Sequence, residues 1–347
     1  MSTQSLNKLN FFLFVALSTG LTVSACSAEP VDTASSIEKN YTSQSYQLGL
    51  NYYKGNSVKQ DYKEAFELFQ EAANQGSPKA QFQLGNMYEH GQGVDEDKAK
   101  ALGWYKKAAE QELPDAQNSI GMSYFYNQKV EPNFEKSVRW FKKAAEQGQP
   151  ESQYHLGLFY ENGYDRPINY KKAIKWYKSS AEQGFAPAQY NLGTLYLDGK
   201  GTEKNYTKAQ QWYQKAADLG FSPAQHNLGV MYEKGLGMKK DYGKAAYWYQ
   251  RAVDRNYVPA QNNLGSLYYS GRGVEEDYDK AFELYSKAAA QEEAIAQFNL
   301  GEMYYYGDSV PQDYNKAYEW YQKAAAQGYQ EAQDRIDQLR NEGKINR

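Results

Sequence analysis

The chain has 347 residues, enough for two globular domains or one long array, and a formal net charge of −3. Lys and Arg number 39 against 42 Asp and Glu, so the basic excess that marks nucleic-acid binding is missing. Composition is otherwise ordinary except for 34 Tyr, against 14 Phe and 6 Trp.

At the N-terminus, Lys8 precedes an apolar run over residues 11–23 (FFLFVALSTGLTV), which is too short for a membrane span and is placed as a secretory leader. The tetrapeptide VSAC at 23–26 resembles the lipobox of bacterial lipoproteins. That resemblance implies removal of residues 1–25, a lipid on Cys26 and, because Ser27 rather than Asp follows, sorting to the outer membrane with the chain facing the periplasm. Plain secretion after cleavage at Ala25 or Ala28 is the alternative. Cys26 is the only Cys, so no disulfide can form within the chain, and a thioether-linked lipid removes the lone thiol. Residues 26–40 (CSAEPVDTASSIEKN) are polar, lack helical periodicity and predict a flexible tether.

From residue 41 the sequence repeats every 36 residues. The pair Leu-Gly recurs at Leu48-Gly49, Leu84-Gly85, Leu156-Gly157, Leu192-Gly193, Leu228-Gly229, Leu264-Gly265 and Leu300-Gly301, with Ile120-Gly121 as the variant. Three residues after each Gly stands a Tyr, from Tyr52 and Tyr88 to Tyr268 and Tyr304. The copies are 41–76, 77–112, 113–148, 149–184, 185–220, 221–256, 257–292 and 293–328, and residues 329–339 repeat only the first part.

Each copy predicts two helices. In the first, Ala224, Leu228 and Tyr232 fall at i, i+4 and i+8, one apolar stripe. Gly229 inside it costs about 1 kcal/mol relative to Ala, so its recurrence predicts that a side chain there would block a partner helix. The second helix opens at Asp61, Asp97, Asn133, Asn169, Asn205, Asp241, Asp277 or Asp313, all good N-caps, and carries a stripe such as Ala245, Trp248, Tyr249 and Ala252. It closes at Gly76, Gly148, Gly184, Gly220 or Gly328, suited to the left-handed conformation, and Asn256 tolerates it. Glu112 and Glu292 do not suit it, which predicts looser junctions there. The segment 329–339 is expected to form a helix that caps the last apolar seam.

The pattern Ala-x-x-x-Leu-Gly-x-x-Tyr, then Gly-x-Gly, then Asp-Tyr-x-Lys-Ala-x-x-Trp-Tyr-x-Lys-Ala-Ala resembles the Sel-1-like repeat, an α/α relative of the tetratricopeptide repeat. The resemblance covers residues 41–340. It implies an all-α, right-handed superhelical solenoid with a concave inner face lined by first helices, and a role in binding proteins or carbohydrates as an adaptor, envelope assembly factor or host-interaction protein. Cysteine-rich bacterial members staple each helix pair with a disulfide; here packing alone must hold it. The third copy lacks both loop glycines, and Asn127 stands where the first is expected to turn left-handed.

The repeated Ala, Leu, Gly, Tyr and Trp columns are structural, since one helix pair cannot bury its own stripe and neighbours must supply the contact. Function therefore belongs to positions that face away from the seam. With Ala80, Leu84 and Tyr88 inward, the 100° step turns positions 82, 86 and 89 outward. Through the copies that surface carries Tyr46, Tyr53, Phe82, Phe125, Tyr154, Tyr190, His226, Tyr269, Phe298 and Tyr305, with acidic spots at Glu89, Glu161 and Glu233. The adjoining column adds Asn191, Asn227, Asn263 and Asn299. Rings beside amides suit a peptide or a sugar chain. The alternative is that curvature buries these positions, and near-complete burial of Tyr154 and Tyr190 would remove the groove. The second helices present Lys107, Lys143, Lys215, Arg251, Lys287 and Lys323 near their C-termini, with Glu110, Glu146, Asp218 and Asp254 in reach for exposed ion pairs, a solvated outer face.

An enzyme is not expected. Ser-x-x-Lys occurs at Ser36 to Lys39, in the expected tether, and at Ser5 to Lys8, in the leader, without Lys-Thr-Gly or Ser-Asp-Asn beyond. His90, His155 and His226 lie in separate copies without metal-ligand spacing and read as variable surface residues. No strand precedes the Gly-x-Gly loops, so they are not nucleotide-binding loops. The sequence therefore predicts a non-enzymatic envelope scaffold without cofactor or metal, binding a protein, peptide or polysaccharide. It would meet the membrane only through the lipid at Cys26, and no nucleic acid. The alternatives are a hydrolase of β-lactam or cell-wall bonds, as described for cysteine-rich relatives, and a secreted host-interaction factor.

Overall fold

The computed structural model of the chain describes residues 33–126, 133–164 and 166–345. The leader, Cys26 and Asn127 lie outside the described residues. Among those described, seventeen helices and no strand occur. Sixteen helices alternate as the first and second members of eight copies, from Thr33–Lys54 with Tyr62–Asn74 to Ala294–Tyr306 with Tyr314–Ala326, and Gln330–Asn341 follows them. Each packs on the helix before it and the helix after it, so the core is one seam shared by neighbouring copies in an all-α solenoid.

Local chemistry explains the hairpins. All eight expected N-cap side chains accept backbone N–H groups of their own helix. Each cap residue also donates its own N–H to the carbonyl of the Tyr that ends the preceding stripe, as in Asp97 to Tyr88 (2.8 Å) and Asn169 to Tyr160 (2.7 Å). That second bond clasps the loop across its base. The Leu-Gly glycines act by close approach. A Cβ on Gly193 would stand 2.8 Å from the Tyr213 ring, which is fully buried, and the other seven meet the equivalent ring in their own copy.

The tether expectation is corrected at its end. The first helix begins at Thr33, so residues 33–40 are helical. Beyond the extension the same helix is tied to the second one, Tyr41 donating to Glu71 Oε1 (2.8 Å) and Ser45 to Glu71 Oε2 (3.4 Å). Ser36 and Lys39 consequently belong to a helix of the array and not to a flexible arm. Leu48 is 41% exposed while Leu84, its counterpart one copy on, is fully buried, because no copy precedes the first. At the other end, Gln330–Asn341 caps the seam through Ala332, Ile336 and Leu339, and the polar tail folds back far enough to bury Ile345.

The junctions at Glu112 and Glu292 are not loosened. Both residues adopt φ +62°, and the Glu112 N–H reaches Ala109 O at 3.0 Å, the bond that Gly148 makes to Ala145 at the same distance. Packing imposes the left-handed turn on a residue that disfavours it. Glu112→Gly and Glu292→Gly are each expected to stabilise the chain by about 0.5–1 kcal/mol in urea melts, since relief of that strain outweighs the added freedom of the unfolded chain.

A glutamine clasp ties consecutive copies together. Gln81, Gln153, Gln189, Gln225 and Gln297 each donate to the carbonyl of an Ala eight residues earlier. A second Gln thirty residues later donates to the first one's Oε1, as Gln111 does to Gln81 (2.9 Å) and Gln183 to Gln153 (2.8 Å). Copies five and six have Leu219 and Arg255 at that second position, and there the buried Gln189 Oε1 and Gln225 Oε1 have no partner. A buried acceptor left unpaired costs about 1–3 kcal/mol. Leu219→Gln, which restores the donor and removes a 59% exposed Leu, is expected to raise stability by about 1 kcal/mol.

The curvature of the stack follows from which helices approach one another. First helices of successive copies exchange side-chain hydrogen bonds: Ser152 to Asn118 (2.7 Å), Asn263 to His226 (3.0 Å) and Asn299 to Asn262 (2.9 Å). On the other side, clefts open between successive second helices, one of them lined by Lys178, Trp212 and Lys215. A wall pinched on one side and splayed on the other bends toward the pinched side, so the first helices line the concave face.

The outer face differs from expectation in how it handles its cations. Lys107, Lys143, Lys215 and Lys323 stand 3.8 to 4.6 Å above the rings of Trp104, Trp140, Trp212 and Trp320, three residues before them. The ion pairs among the described residues of this face are others, such as Lys142–Glu146 and Lys178–Glu182, both at 3.7 Å and exposed.

Candidate binding surface

Six residues of the predicted ring column sit alike. Tyr46, Phe82, Tyr154, Tyr190, His226 and Phe298 are each half-buried. Each leans on a buried second-helix ring of its own copy, with centroids 5.6 to 5.8 Å apart and planes tilted 36 to 43°. Tyr154, Tyr190, His226 and Phe298 are also flanked by Phe185, Phe221, Tyr257 and Tyr329, which precede the next first helix. Two aromatic neighbours fix each ring and leave part of it open to solvent. Tyr154 and Tyr190 therefore escape the near-complete burial that would have removed the groove. In this same column Asn118 and Asn262 are buried at 6% and 7% and do not contribute.

The column at position 89 is mixed. Tyr53, Phe125 and Tyr269 are half-buried, and Tyr53 and Tyr269 donate to Gln92 and Asp308 in the interhelical loop of the next copy, both at 2.7 Å. Phe125 packs into a cluster with Phe134, Phe159 and Tyr164. Tyr305 is a correction: it is buried to 8% under Tyr306 and Tyr314, with Lys344 4.7 Å above its ring, because the tail closes over it.

The amides are less free than the sequence suggests. Asn191 donates to the Tyr177 hydroxyl (3.1 Å), Asn299 to Asn262, and Asn263 to His226 Nε2. His226 Nδ1 faces Asn227 Oδ1 at 3.3 Å, so a chain of side-chain bonds links copies six, seven and eight. Among the histidines, His155 departs from the surface reading. It is 4% exposed, stacked on Phe141 at 4.6 Å and 10°, and its Nδ1 has no partner. Burial holds its pKa down to about 4 and also lowers that of His226.

One layer escaped the sequence reading: the residue after the recurring Trp or Leu of each second helix. Tyr105, Tyr177, Tyr213, Tyr249, Tyr285 and Tyr321 are buried, yet their hydroxyls pass between first-helix side chains to the inner face. Tyr105 donates to Glu89 (2.5 Å), Tyr177 to Glu161 (2.5 Å), Tyr249 to Glu233 (2.6 Å), Tyr285 to Ser266 (3.0 Å) and Tyr321 to Glu302, while Tyr213 pairs with Thr194 (2.9 Å). Desolvation, and beside Glu89, Glu161, Glu233 and Glu302 the carboxylate as well, push these phenols upward, to about 12 for Tyr213 and Tyr285, so all remain hydrogen-bond donors. The signal was present as covariation inside the chain. Two copies have Phe69 and Phe141 here, and opposite them stand Leu50 with Tyr53 and Met122 with Phe125, none of them acidic. Hydroxyl and polar partner come and go together.

The inner face thus offers fixed rings, inward-anchored carboxylates and few free amides. Among the described residues no group of three His, Cys, Asp or Glu is arranged to hold a metal, and no helix is long and apolar enough to cross a membrane.

A family model described as Sel1 repeat matches residues 45–77, 78–113, 114–149, 150–185, 186–221, 222–257, 258–292 and 294–329. Among solved structures, a protective antigen of uropathogenic Escherichia coli with an SLR fold is 34% identical, with a TM-score of 0.62 over 88% of this chain and 73% of that one. A Sel1 repeat protein from Oxalobacter formigenes is 30% identical, with a TM-score of 0.63 over 93% of this chain and 98% of that one. No curated protein matches the chain.

Proposed function

The chain belongs to the Sel1 repeat family, whose members are generally non-enzymatic scaffolds that bind protein partners, and from that premise we propose that it is an envelope scaffold whose concave face holds an extended protein segment. The observation that carries this reading is the row of half-buried rings at Tyr154, Tyr190, His226 and Phe298, each locked between two aromatic neighbours. Rings already ordered bind with little further loss of side-chain entropy. A peptide is preferred to a polysaccharide because a sugar chain needs free amides, and Asn191, Asn263 and Asn299 already donate within the protein.

The envelope placement rests on the leader and on VSAC at 23–26. Lipid at Cys26 confines the scaffold to a membrane surface, which raises its local concentration toward partners there. Two experiments test the proposal. Cys26→Ser should move the protein from the membrane fraction to the soluble one, and retention in the membrane contradicts the anchor. Cross-linking and pull-down from intact envelopes should recover a partner with the wild type and lose most of it with the Tyr154→Ala, Tyr190→Ala double variant. Equal recovery from an outer-face control, Lys178→Ala, should persist; a partner lost with Lys178 and kept without the two tyrosines places binding on the wrong face.

A further inference from the structure

Charge is segregated between the two faces of the solenoid. In copies two to eight the first helices carry seven carboxylates against two lysines, and the second helices carry twenty Lys and Arg against eight acids. A cationic partner is therefore repelled from the outer face and drawn to the inner one.

The inner carboxylates are also placed for single cations. Glu89, Glu161 and Glu233 occupy the same position in copies two, four and six, and each takes a buried phenol hydroxyl on one oxygen. A related unit that does hold a cation stands at the end of the array. Glu302, one helical turn before the position that Tyr305 shares with Glu89, Glu161 and Glu233, accepts the Tyr321 hydroxyl on Oε1 and the Arg335 guanidinium on Oε2 at 2.6 Å. The two side chains are 18% and 26% exposed, and the guanidinium lies 5.4 Å from the Tyr305 ring. Arg335 comes from the capping helix, at the position that Asn299 holds in the eighth copy. The chain itself thus seats an arginine on a phenol–carboxylate pair beside an aromatic ring. The three other units have the phenol, the carboxylate and rings nearby: Phe82 against Tyr105, Tyr154 against Tyr177 and His226 against Tyr249. Among the described residues no ion pair joins a cation to these three carboxylates.

We propose that Glu89, Glu161 and Glu233 are seats for arginine side chains of an extended, basic protein segment that lies along the concave face, with Arg335 as the internal copy of that contact. Guanidinium suits the seat better than ammonium, because it bonds to a carboxylate and stacks on a ring at once. The proposal rests on the groove reading above and adds the sign and the side chain of the partner.

The test uses the folded chain and a fluorescein-labelled nona-arginine peptide at 150 mM salt, with nona-glutamate and chitohexaose as comparison probes. The triple variant Glu89→Gln, Glu161→Gln, Glu233→Gln keeps an acceptor for each phenol and so keeps the fold, which a melting curve checks. It is expected to bind nona-arginine at least tenfold more weakly. A second triple, Glu110→Gln, Glu146→Gln, Glu182→Gln, makes the same charge change on the outer face and is expected to bind as the wild type does. Equal weakening by both triples, or no binding of nona-arginine to the wild type, overturns the seats. Chitohexaose bound in preference to nona-arginine also overturns them. If the two-tyrosine variant loses its envelope partner while the inner triple does not, the seats fall and the groove stands; if neither variant loses it, the groove itself falls.

Discussion

Gly157→Ala should destabilise the solenoid by about 2–3 kcal/mol, although Ala is the better helix former by about 1 kcal/mol. The added Cβ would lie within 3.0 Å of three atoms of the Tyr177 ring. That ring cannot swing aside: it is fully buried, and its hydroxyl is held by Glu161. The helices must therefore separate, which loosens the seam with both neighbouring copies. Gly103 is the control. It also lies inside a helix, a Cβ there meets nothing within 4 Å, and Gly103→Ala should stabilise by roughly 1 kcal/mol. Urea melts of the two variants, followed by circular dichroism, are expected to move in opposite directions. A Gly157→Ala variant as stable as the wild type would show that the Leu-Gly column is not set by helix approach.

Acidification should weaken the fold through His155 before the carboxylates titrate. The pKa of its ring falls from the ordinary 6.5 to about 4 on burial, so between those values the unfolded chain takes up a proton that the folded chain refuses. The direction follows from linkage: the unfolded state binds more protons, and stability falls as pH falls. The loss is absent above pH 6.5, reaches about 2 kcal/mol at pH 5 and roughly 3 kcal/mol near pH 4. His226, lowered mainly by burial, adds to it with the same sign. His155→Asn installs the residue found at this position in the four copies from Asn191 to Asn299. It gives up the stack on Phe141, so its stability at pH 7 is lower, but its change between pH 7 and pH 5 should be smaller by about 2 kcal/mol. Identical pH profiles for the two proteins would mean that the ring takes its proton in the folded state.

Most of the fold was legible because the same physical choice is made eight times. An Asp or Asn recurs where orphan N–H groups need a cap, and a Gly recurs where two helices touch; repetition separates these from chance. What was hidden depended on contacts made once. The extension from Thr33 continues the first helix without the apolar stripe of the repeat, so composition mistook it for a tether. Tyr305 occupies a column that is open elsewhere, and only the returning tail covers it. His155 lies in a column that is polar in the other copies, and only a neighbouring Phe141 in place of Tyr lets its ring stack inward. The left-handed Glu112 and Glu292 show the reverse case, where shared packing overrides a local preference.

The candidate site was half legible. A ring in six of the eight copies on the outward side of the first helix is visible in sequence, and these six rings are half-buried. The phenols that anchor Glu89, Glu161 and Glu233 were read as core because a buried Tyr and a buried Phe occupy the same stripe. Only the pairing of each hydroxyl with an acid or hydroxyl on the other helix distinguishes them.

Hydroxyl-radical footprinting of the protein alone and with the partner that the proposed pull-down recovers tests the concave face most directly. In the free protein Tyr154 and Tyr190 should be oxidised well above the rates of the buried Tyr177 and Tyr213, and partner should suppress that oxidation while Trp104 and Trp212 on the outer face stay as reactive as before. Protection confined to Trp104 and Trp212, with Tyr154 and Tyr190 unchanged, would contradict the account.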